Sequence, residues 1–150
     1  MQPYVLKRDI YIKRPMVEVF NFFQQPENLE KITPPFLAFK IMTPRPIVMK
    51  KDLRIDYTIR VLGIPMGWTS LIAEYEPPYR FVDQQVSGPY KFWHHEHTFH
   101  EIEEGTLIGD RVEYALPLGP MGRLAHRLFV EKDLRRIFDF REQAIRKIFS

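Results

Sequence analysis

The hydrophobic pattern of this chain changes its period once, near residue 119, and this change limits the folds available to it. Between residues 36 and 116, apolar and polar residues alternate in short segments, as in strands with one face in water. From Gly119-Pro120 to the end, apolar residues recur every three to four positions, which predicts a long helix. The apolar face of a curved antiparallel sheet needs a cover, and this helix is the only predicted element large enough. The sequence therefore predicts an α+β fold with one helix across a sheet.

The remaining elements follow from the same kind of pattern. Residues 4–12 are rich in β-branched and aromatic side chains and predict a first strand. Pro15 and Pro26 suit the first turns of two short helices, and Pro34-Pro35 must end the second one. Short connections with Gly or Pro favour an antiparallel meander for the strands that follow. We predict these six strands at residues 36–43, 52–62, 66–75, 80–86, 91–102 and 106–116.

The predicted C-terminal helix carries two apolar stripes that are slightly out of phase. The first consists of Met121, Leu124 and Leu128, and Arg141 interrupts the second. A helix with such a phase shift is predicted to bend or break between about residues 125 and 130. We expect Leu124 and Leu128 to face the ligand cavity described below. The second stripe consists of Val130, Leu134, Ile137, Phe138, Ile145 and Ile148.

Composition narrows the class of protein. The chain has 150 residues, which suits one domain spanning residues 1–150, and it has no cysteine for disulfides or thiolate metal sites. The start of the chain lacks a signal-peptide core, so a cytoplasmic location is the expectation. The net charge is +3, and residues 119–150 hold eight Lys or Arg against four Asp or Glu. A solvated helix face is the common cause of such an excess, transient contact with an anionic membrane is the alternative, and nucleic-acid binding is not expected.

Three local motifs resemble one known superfamily. Residues 76–83 (EPPYRFVD) are similar to its PP-x-x-F-x-D turn and strand. Residues 88–99 (GPYKFWHHEHTF) are similar to its GP…W-x-H-x-H-x-F strand, and residues 105–119 resemble the continuation GT…D…Y-x-x-P-x-G. With the order of elements, these motifs resemble the START-like superfamily of polyketide cyclases/dehydrases and lipid transport proteins, which includes the birch-pollen allergen. The resemblance implies a helix-grip fold of about seven strands with a ligand cavity under the C-terminal helix.

The faces of two neighbouring strands predict a polar cluster in that cavity. The face with Trp93, His95, His97 and Phe99 has no carboxylate, so we assign it inward, together with Asp110 and Tyr114 of the next strand. If Glu104-Gly105 forms a two-residue hairpin turn, His95 lies opposite Tyr114, and Asp110 is diagonal to His97. His95, His97, Asp110 and Tyr114 are therefore predicted to lie together on the concave face.

Three roles remain open for this cluster. A His–Asp or His–Tyr pair can be purely structural, because buried polar groups need partners. The cluster can recognise a ligand in an otherwise apolar cavity. Alternatively His95, His97 and Asp110 can supply an acid–base pair for a cyclase/dehydrase-type reaction, although no paired carboxylates are evident beside them. A metal site of His95, His97 and Asp110 is conceivable, but His-x-His alone is a weak signal, and we expect neither metal nor cofactor.

The functional expectation is a carrier or binding protein for a small hydrophobic molecule or lipid. An enzyme is the first alternative, and a docking module without ligand, for a protein or a membrane, is the second. The faces of Phe81, Asp83 and Gln85 are ambiguous from sequence. The predicted ligand-binding residues are Tyr57, Ile59, Trp68, Ser70, Trp93, His95, His97, Asp110, Tyr114, Leu124 and Leu128.

Overall fold

Seven antiparallel strands form one sheet in the order β1-β7-β6-β5-β4-β3-β2. The computed structural model of the protein describes residues 2–150. Each strand from β2 to β6 pairs with the next one along the chain, and β1 pairs with β7 at the other edge of the sheet. The strands are β1 (Tyr4–Ile12), β2 (Lys40–Ile41), β3 (Arg54–Val61), β4 (Ile64–Glu76), β5 (Arg80–Ser87), β6 (Phe92–Ile102) and β7 (Gly105–Ala115).

The helices lie between β1 and β2 and after β7. The first connection holds α1 (Met16–Phe23) and two 3₁₀ segments, Pro26–Lys31 and Pro35–Leu37. The C-terminal helix consists of α2 (Gly119–Ala125), a π-helical turn (His126–Val130) and α3 (Glu131–Ile148). This is the α+β helix-grip fold that the sequence predicts.

Helix α3 covers the concave face of the sheet with one side only. Its buried residues, Leu134, Phe138, Arg141 and Ile145, recur at spacings of four, three and four, which places them on one face. The buried residues of α1 pack against the opposite part of the same core, where Phe20 meets Phe81 and Phe99 edge to face. Apolar side chains therefore pack against both ends of α3. A cavity can form between the middle of this helix and the sheet.

Residues 36–43 form much less strand than predicted. Only Lys40–Ile41 pairs with β3. The preceding residues form a 3₁₀ turn after Pro34-Pro35, and Ala38 ends it in the left-handed region at φ 47°. Proline restricts the local backbone and cannot donate a ladder hydrogen bond, so this segment leaves the sheet edge.

The predicted turn between β6 and β7 was wrong by one residue on each strand. Ile102 pairs with Gly105, so Glu103-Glu104 forms the turn, with φ of 43° and 62°. His97 consequently lies opposite Asp110, His95 opposite Val112 and Trp93 opposite Tyr114. Because the correction is two residues in total, the predicted inward faces of both strands are retained.

Gly105 lies in β7 and not in the turn, and its lack of a side chain allows β1 to pack closely against it. A Cβ atom there would lie 2.5 Å from the Tyr11 hydroxyl oxygen and 2.6 Å from the Ile12 carbonyl oxygen. The Tyr11 hydroxyl donates a hydrogen bond to the Glu103 carbonyl, which ties β1 to the turn. Glycine next to a turn is therefore a packing requirement here, and sequence reasoning took it for a turn residue.

A π-helical turn at His126–Val130 lies where the sequence predicted a bend or break in the C-terminal helix, and the helix continues through it without interruption. An inserted residue of this kind rotates the following helix and accounts for the phase shift between the two stripes. The prediction that Leu124 and Leu128 face the cavity is wrong in position, because both side chains are exposed. The face of α2 that carries Gly122 is turned inward instead. A Cβ at Gly122 would lie 2.1 Å from the Pro117 carbonyl oxygen. No helix within residues 2–150 combines the length and apolar character needed to cross a membrane.

Replacing Gly105 with Ala tests the packing role of this glycine. We expect Gly105→Ala to lower the free energy of unfolding by about 1–3 kcal/mol, because the new methyl group collides with β1. Gly67→Ala is the matched control, since a Cβ at Gly67 meets no atom within 4 Å, and it should leave stability unchanged or raise it by up to about 1 kcal/mol. Urea unfolding followed by circular dichroism measures both, and equal effects would contradict the packing argument.

Candidate functional site

A cavity of about 620 Å³ lies between the concave face of the sheet and α3. Its walls are mostly apolar. Its polar side chains come from strands β3 to β6, from Thr33 and from Asp133, Arg136 and Arg141 of α3. Bounding it on the helical side are Leu134, Ile137, Phe138 and Arg141 of α3. Strands β3 to β6 contribute Ile55, Tyr57, Ile59, Trp68, Ser70, Ile72, Phe81, Asp83, Trp93, His95 and His97.

Most of the predicted ligand-binding residues line this cavity. Seven do so directly: Tyr57, Ile59, Trp68, Ser70, Trp93, His95 and His97. Asp110 and Tyr114 are buried on the same concave face but stand outside the lining. Leu124 and Leu128 lie outside it as well, on the exposed face of the C-terminal helix. The position of the seven residues in the lining is compatible with a ligand-binding role, which stays a prediction.

One polar group of the cavity is a hydroxyl pair on β3 and β4. The Ser70 Oγ lies 2.6 Å from the Tyr57 hydroxyl and accepts a 3.0 Å hydrogen bond from Trp68 Nε1. Burial raises the pKa of Tyr57, and the charge of Asp83 adds to this effect. Tyr57 therefore remains a neutral phenol. The indole of Trp68 packs edge to face on Trp93, with ring centroids 5.3 Å apart, which rigidifies this wall.

The second polar group is a pair of stacked histidines between two aspartates. The rings of His95 and His97 stack with centroids 3.7 Å apart. Asp110 Oδ1 lies 2.8 Å from His95 Nε2, and Asp83 Oδ2 lies 2.5 Å from His97 Nε2. Arg141 of α3 donates from Nη2 to Asp110 Oδ1 at 3.3 Å. Two carboxylates thus flank the imidazoles, where the sequence predicted only Asp110.

Both aspartates are ionised. Burial by itself would raise the pKa of Asp110, but the charge of Arg141 and the hydrogen bond from His95 outweigh it and hold that pKa well below its usual range. Burial likewise opposes ionisation of Asp83, and the hydrogen bond from His97 and the charges of the two histidines lower its pKa overall. Because Asp110 is a carboxylate, it accepts a hydrogen bond from His95 Nε2–H, so the other ring nitrogen, Nδ1, is the one that faces Asp83.

His97 is neutral at physiological pH. Burial, and then repulsion by His95, lower the pKa of His97 to about 4 despite the attraction of Asp83. Asp83, Asp110 and Arg141 together carry one excess negative charge. A buried excess charge is costly in an apolar wall, so the group favours a positive or hydrogen-donating partner.

Sequence reasoning placed Tyr114 in this group, and the structure places it elsewhere. The Tyr114 hydroxyl lies 2.7 Å from Nε2 of His126, and the imidazole of His126 stacks on the ring of Tyr4. Burial lowers the pKa of His126, while the charge of Glu131 opposes this. His126 was not predicted, since a single histidine in a broken helix gives no pattern. Its contacts fix the π-helical turn against the sheet.

Two other members of the site were not selected from the sequence. Asp83 had an ambiguous face, which the pairing of β5 with β6 resolves by placing it opposite His95. The one sign of Arg141 in the sequence was that it interrupts the apolar stripe of α3. Its side chain is buried, with the guanidinium 5.4 Å from the ring centroid of Phe23. Gln85, the third ambiguous residue, holds the backbone of Tyr90 through two hydrogen bonds, one donated and one accepted.

The arrangement can perform two kinds of chemistry. A carboxylate-bound imidazole in a cavity wall can transfer a proton to or from a ligand. Asp83, His95 and His97 can also converge on a cation, because one ligand atom from each lies within 4.8 Å of the others. The sequence offered Asp110 as the third metal ligand, whereas the structure puts Asp110 behind His95 and Asp83 in that position.

A family model described as polyketide cyclase / dehydrase and lipid transport matches residues 12–140. The chain belongs to this family. The match covers strands β2 to β7 and α3 up to residue 140, so the resemblance seen in the sequence is confirmed. Among proteins with curated descriptions, none matches the sequence.

Solved structures show the same fold as this polyketide cyclase/dehydrase and lipid transport family member at low sequence identity. A protein from Chromobacterium violaceum has a TM-score of 0.73 at 11% identity, covering 98% of each chain. A START superfamily protein from Mycobacterium smegmatis has a TM-score of 0.71 at 8% identity, covering 96% of this chain and 98% of that one. A major latex-like protein from Panax ginseng has a TM-score of 0.68 at 13% identity, covering 100% and 99%. These likenesses concern the fold.

Replacing Asp110 with Asn tests how strongly the buried charges hold the site together. We expect Asp110→Asn to lower the free energy of unfolding by about 3–5 kcal/mol, because Arg141 is left buried without its counter-charge. Asp139→Asn is the control, because it breaks a 2.7 Å ion pair between Arg8 and an aspartate side chain that is 65% exposed. This change should lower the free energy of unfolding by less than about 1 kcal/mol. Urea unfolding in the presence of EDTA compares the two, and similar losses would contradict this account of Arg141.

Proposed function

We propose that this protein binds a small hydrophobic molecule in the cavity between the sheet and α3. The observation that carries the proposal is a space of about 620 Å³ that side chains of the surrounding core leave unfilled. This volume is in the range of small-molecule sites, which are mostly apolar with a few placed polar groups. A ligand would supply the packing contacts that the lining lacks when the cavity is empty.

The lining also restricts the ligand's chemistry. Aromatic walls from Trp68, Trp93 and Phe138 favour a flat or ring-containing body. The Tyr57–Ser70 pair and the histidine–aspartate group can each hydrogen-bond one polar group of such a body. Arg141 is already engaged by Asp110, so its charge is neutralised within the protein. A largely apolar molecule with hydroxyl, carbonyl or other hydrogen-bonding substituents fits best.

Catalysis of the cyclase/dehydrase type is the second candidate. The observation that favours it is the position of His95 and His97, which line the cavity while each holds an aspartate. Such a pair can act as general acid or base on a carbonyl-containing ligand. Such a reaction requires at least one of His95, His97 and Asp110 to be reachable from the cavity, and both histidines line it.

The predicted membrane contact and the cytoplasmic location stay predictions. Exposed apolar residues on the C-terminal helix, including Met121, Leu124 and Leu128, would suit transient contact with a surface. A module that docks without any ligand is the less favoured alternative, because such a module has no need of the cavity.

Filling the cavity tests the binding proposal. Ile59→Trp places a larger side chain in the lining, and we expect it to weaken binding of 8-anilinonaphthalene-1-sulfonate at least tenfold, because the probe and the indole compete for the same space. Ile64→Trp, at an exposed position of β4 outside the lining, is the matched control and should bind like the wild type. Fluorescence titration measures the dissociation constants. Equal affinities for all three proteins would overturn binding in this cavity.

The identity of a co-purified ligand distinguishes a carrier from an enzyme. Native mass spectrometry of freshly purified wild-type protein, and of His97→Gln, gives the mass of any bound small molecule. A carrier should hold the same compound in both proteins. An enzyme should hold product in the wild type and a compound of substrate mass in the variant, because His97 would no longer transfer the proton. Identical masses would contradict the catalytic alternative.

A further inference from the structure

Two buried histidines on β6 and a half-buried aspartate on β5 direct nitrogen and oxygen atoms to one point of the cavity wall. Asp83 lies 2.5 Å from His97 Nε2 and 3.8 Å from His95 Nδ1, measured from its Oδ2 atom. All three ligand atoms lie within 4.8 Å of one another. Ligand atoms around a tetrahedral zinc ion with bonds of 2.0–2.1 Å are about 3.3 Å apart. Small side-chain rotations therefore bring these atoms to coordinating distance.

The other nitrogen of each imidazole faces a second carboxylate. Asp110 Oδ1 lies 2.8 Å from His95 Nε2 and 3.6 Å from His97 Nδ1, so it stands behind both rings. Histidines that bind metals almost always donate their remaining N–H to such a carboxylate, which fixes the ring and its tautomer. Arg141 in turn anchors Asp110 from α3. Each histidine thus has one nitrogen that can bind a metal ion and one that faces the Asp110 carboxylate.

The buried Nδ1 atom of His97 lacks a hydrogen-bond partner, and a cation at this point would give it one. His97 Nδ1 and Asp110 Oδ2 have no hydrogen-bond partner, although both residues are almost fully buried. With the proton of His97 on Nε2, facing Asp83, the Nδ1 lone pair faces the Asp110 carboxylate, which is unfavourable. If a cation occupies the space between Asp83 and Nε2, the proton moves to Nδ1 and points at the Asp110 carboxylate, whose Oδ1 lies 3.6 Å away. A small rotation of the ring then gives this buried nitrogen a partner.

We propose that Asp83, His95 and His97 form a binding site for a divalent transition-metal ion, whose remaining coordination positions open into the cavity. The two imidazoles and one carboxylate suit zinc or iron(II), and they are too few and too rich in nitrogen for calcium or magnesium. Three protein ligands leave at least one position for water or a ligand atom. This proposal stands apart from the binding of a hydrophobic molecule, since the metal can bind with the cavity otherwise empty.

Charge favours a cation at this point and also indicates what would bind to it. The two carboxylates and Arg141 carry one excess negative charge, which a divalent ion converts to one excess positive charge. An anionic oxygen in the open position, from a carboxylate, an enolate, a phenolate or hydroxide, brings the total to zero. A hydrophobic molecule with an acidic oxygen would therefore be held by the metal.

Metal binding is tested with the full-length chain, free of any histidine tag, after EDTA treatment and desalting. Isothermal titration with zinc chloride should show one equivalent bound per chain and an increase in melting temperature. Cobalt chloride should give visible absorption of the intensity typical of four- or five-coordinate Co²⁺. If the wild type gives neither heat nor a cobalt spectrum, a proton occupies the site and the proposal is overturned.

Variants on the two faces of β6 show where the metal binds. His97→Asn and Asp83→Asn should abolish the titration, whereas His100→Asn, on the exposed face of the same strand, should bind like the wild type. Asp110→Asn should weaken binding about 10–100-fold, because it removes only the support of the rings. Retained binding in Asp83→Asn, or loss in His100→Asn, would place the metal elsewhere and overturn the proposal.

A measurement on the wild type keeps the test valid if the variants fold poorly. Proton NMR of the Co²⁺-loaded protein should show two strongly shifted, exchangeable imidazole N–H signals, one from each ligand histidine. The Asp110 carboxylate should protect both from rapid exchange with water. One signal or none would contradict coordination by both His95 and His97.

Discussion

The contact of Asp110 with Arg141 joins the sheet to the helix that covers it. Asp110 on β7 accepts hydrogen bonds from Arg141 on α3 and from His95 on β6, so one carboxylate links three elements. Buried charges of this kind are stable only when paired, because each would otherwise lose its hydration without compensation. The position of α3 over the middle of the sheet and the orientation of the histidines therefore depend on the same interaction.

The cavity exists because apolar packing is concentrated away from this contact. Residues of α1 fill the core at one end, where Phe20, Phe81 and Phe99 meet. At the other end, Leu134 and Phe138 pack with Val112 and Tyr114. Between these clusters, Tyr57, Trp68 and Trp93 contact one another along the sheet, and the cavity lies between this wall and α3. The polar group consequently lies in a wall of a cavity, where a ligand or a metal ion can reach it.

Alternation along strands was enough to predict which residues face inward. His95, His97, Asp110 and Tyr114 are all buried on the concave face, because a strand has a period of two and a register error of two residues leaves its faces unchanged. The same error changed every cross-strand neighbour. The observed register places Asp110 opposite His97, and it places Tyr114 opposite Trp93, away from both histidines. Which residues face the cavity was thus predictable, while which of them touch was not.

The sequence by itself determined the fold class, the order of the elements, the position of the irregular turn in the C-terminal helix and the family. These properties depend on local periodicity and on motifs that lie within single segments. Only the tertiary structure decided the composition of the site, since Asp83, His97 and Arg141 come from three elements whose relative placement no local pattern encodes. It also turned Leu124 and Leu128 outward, because the small residue Gly122 lets α2 approach Pro117 closely. Local patterns report which face of an element is apolar, and long-range packing decides what that face meets.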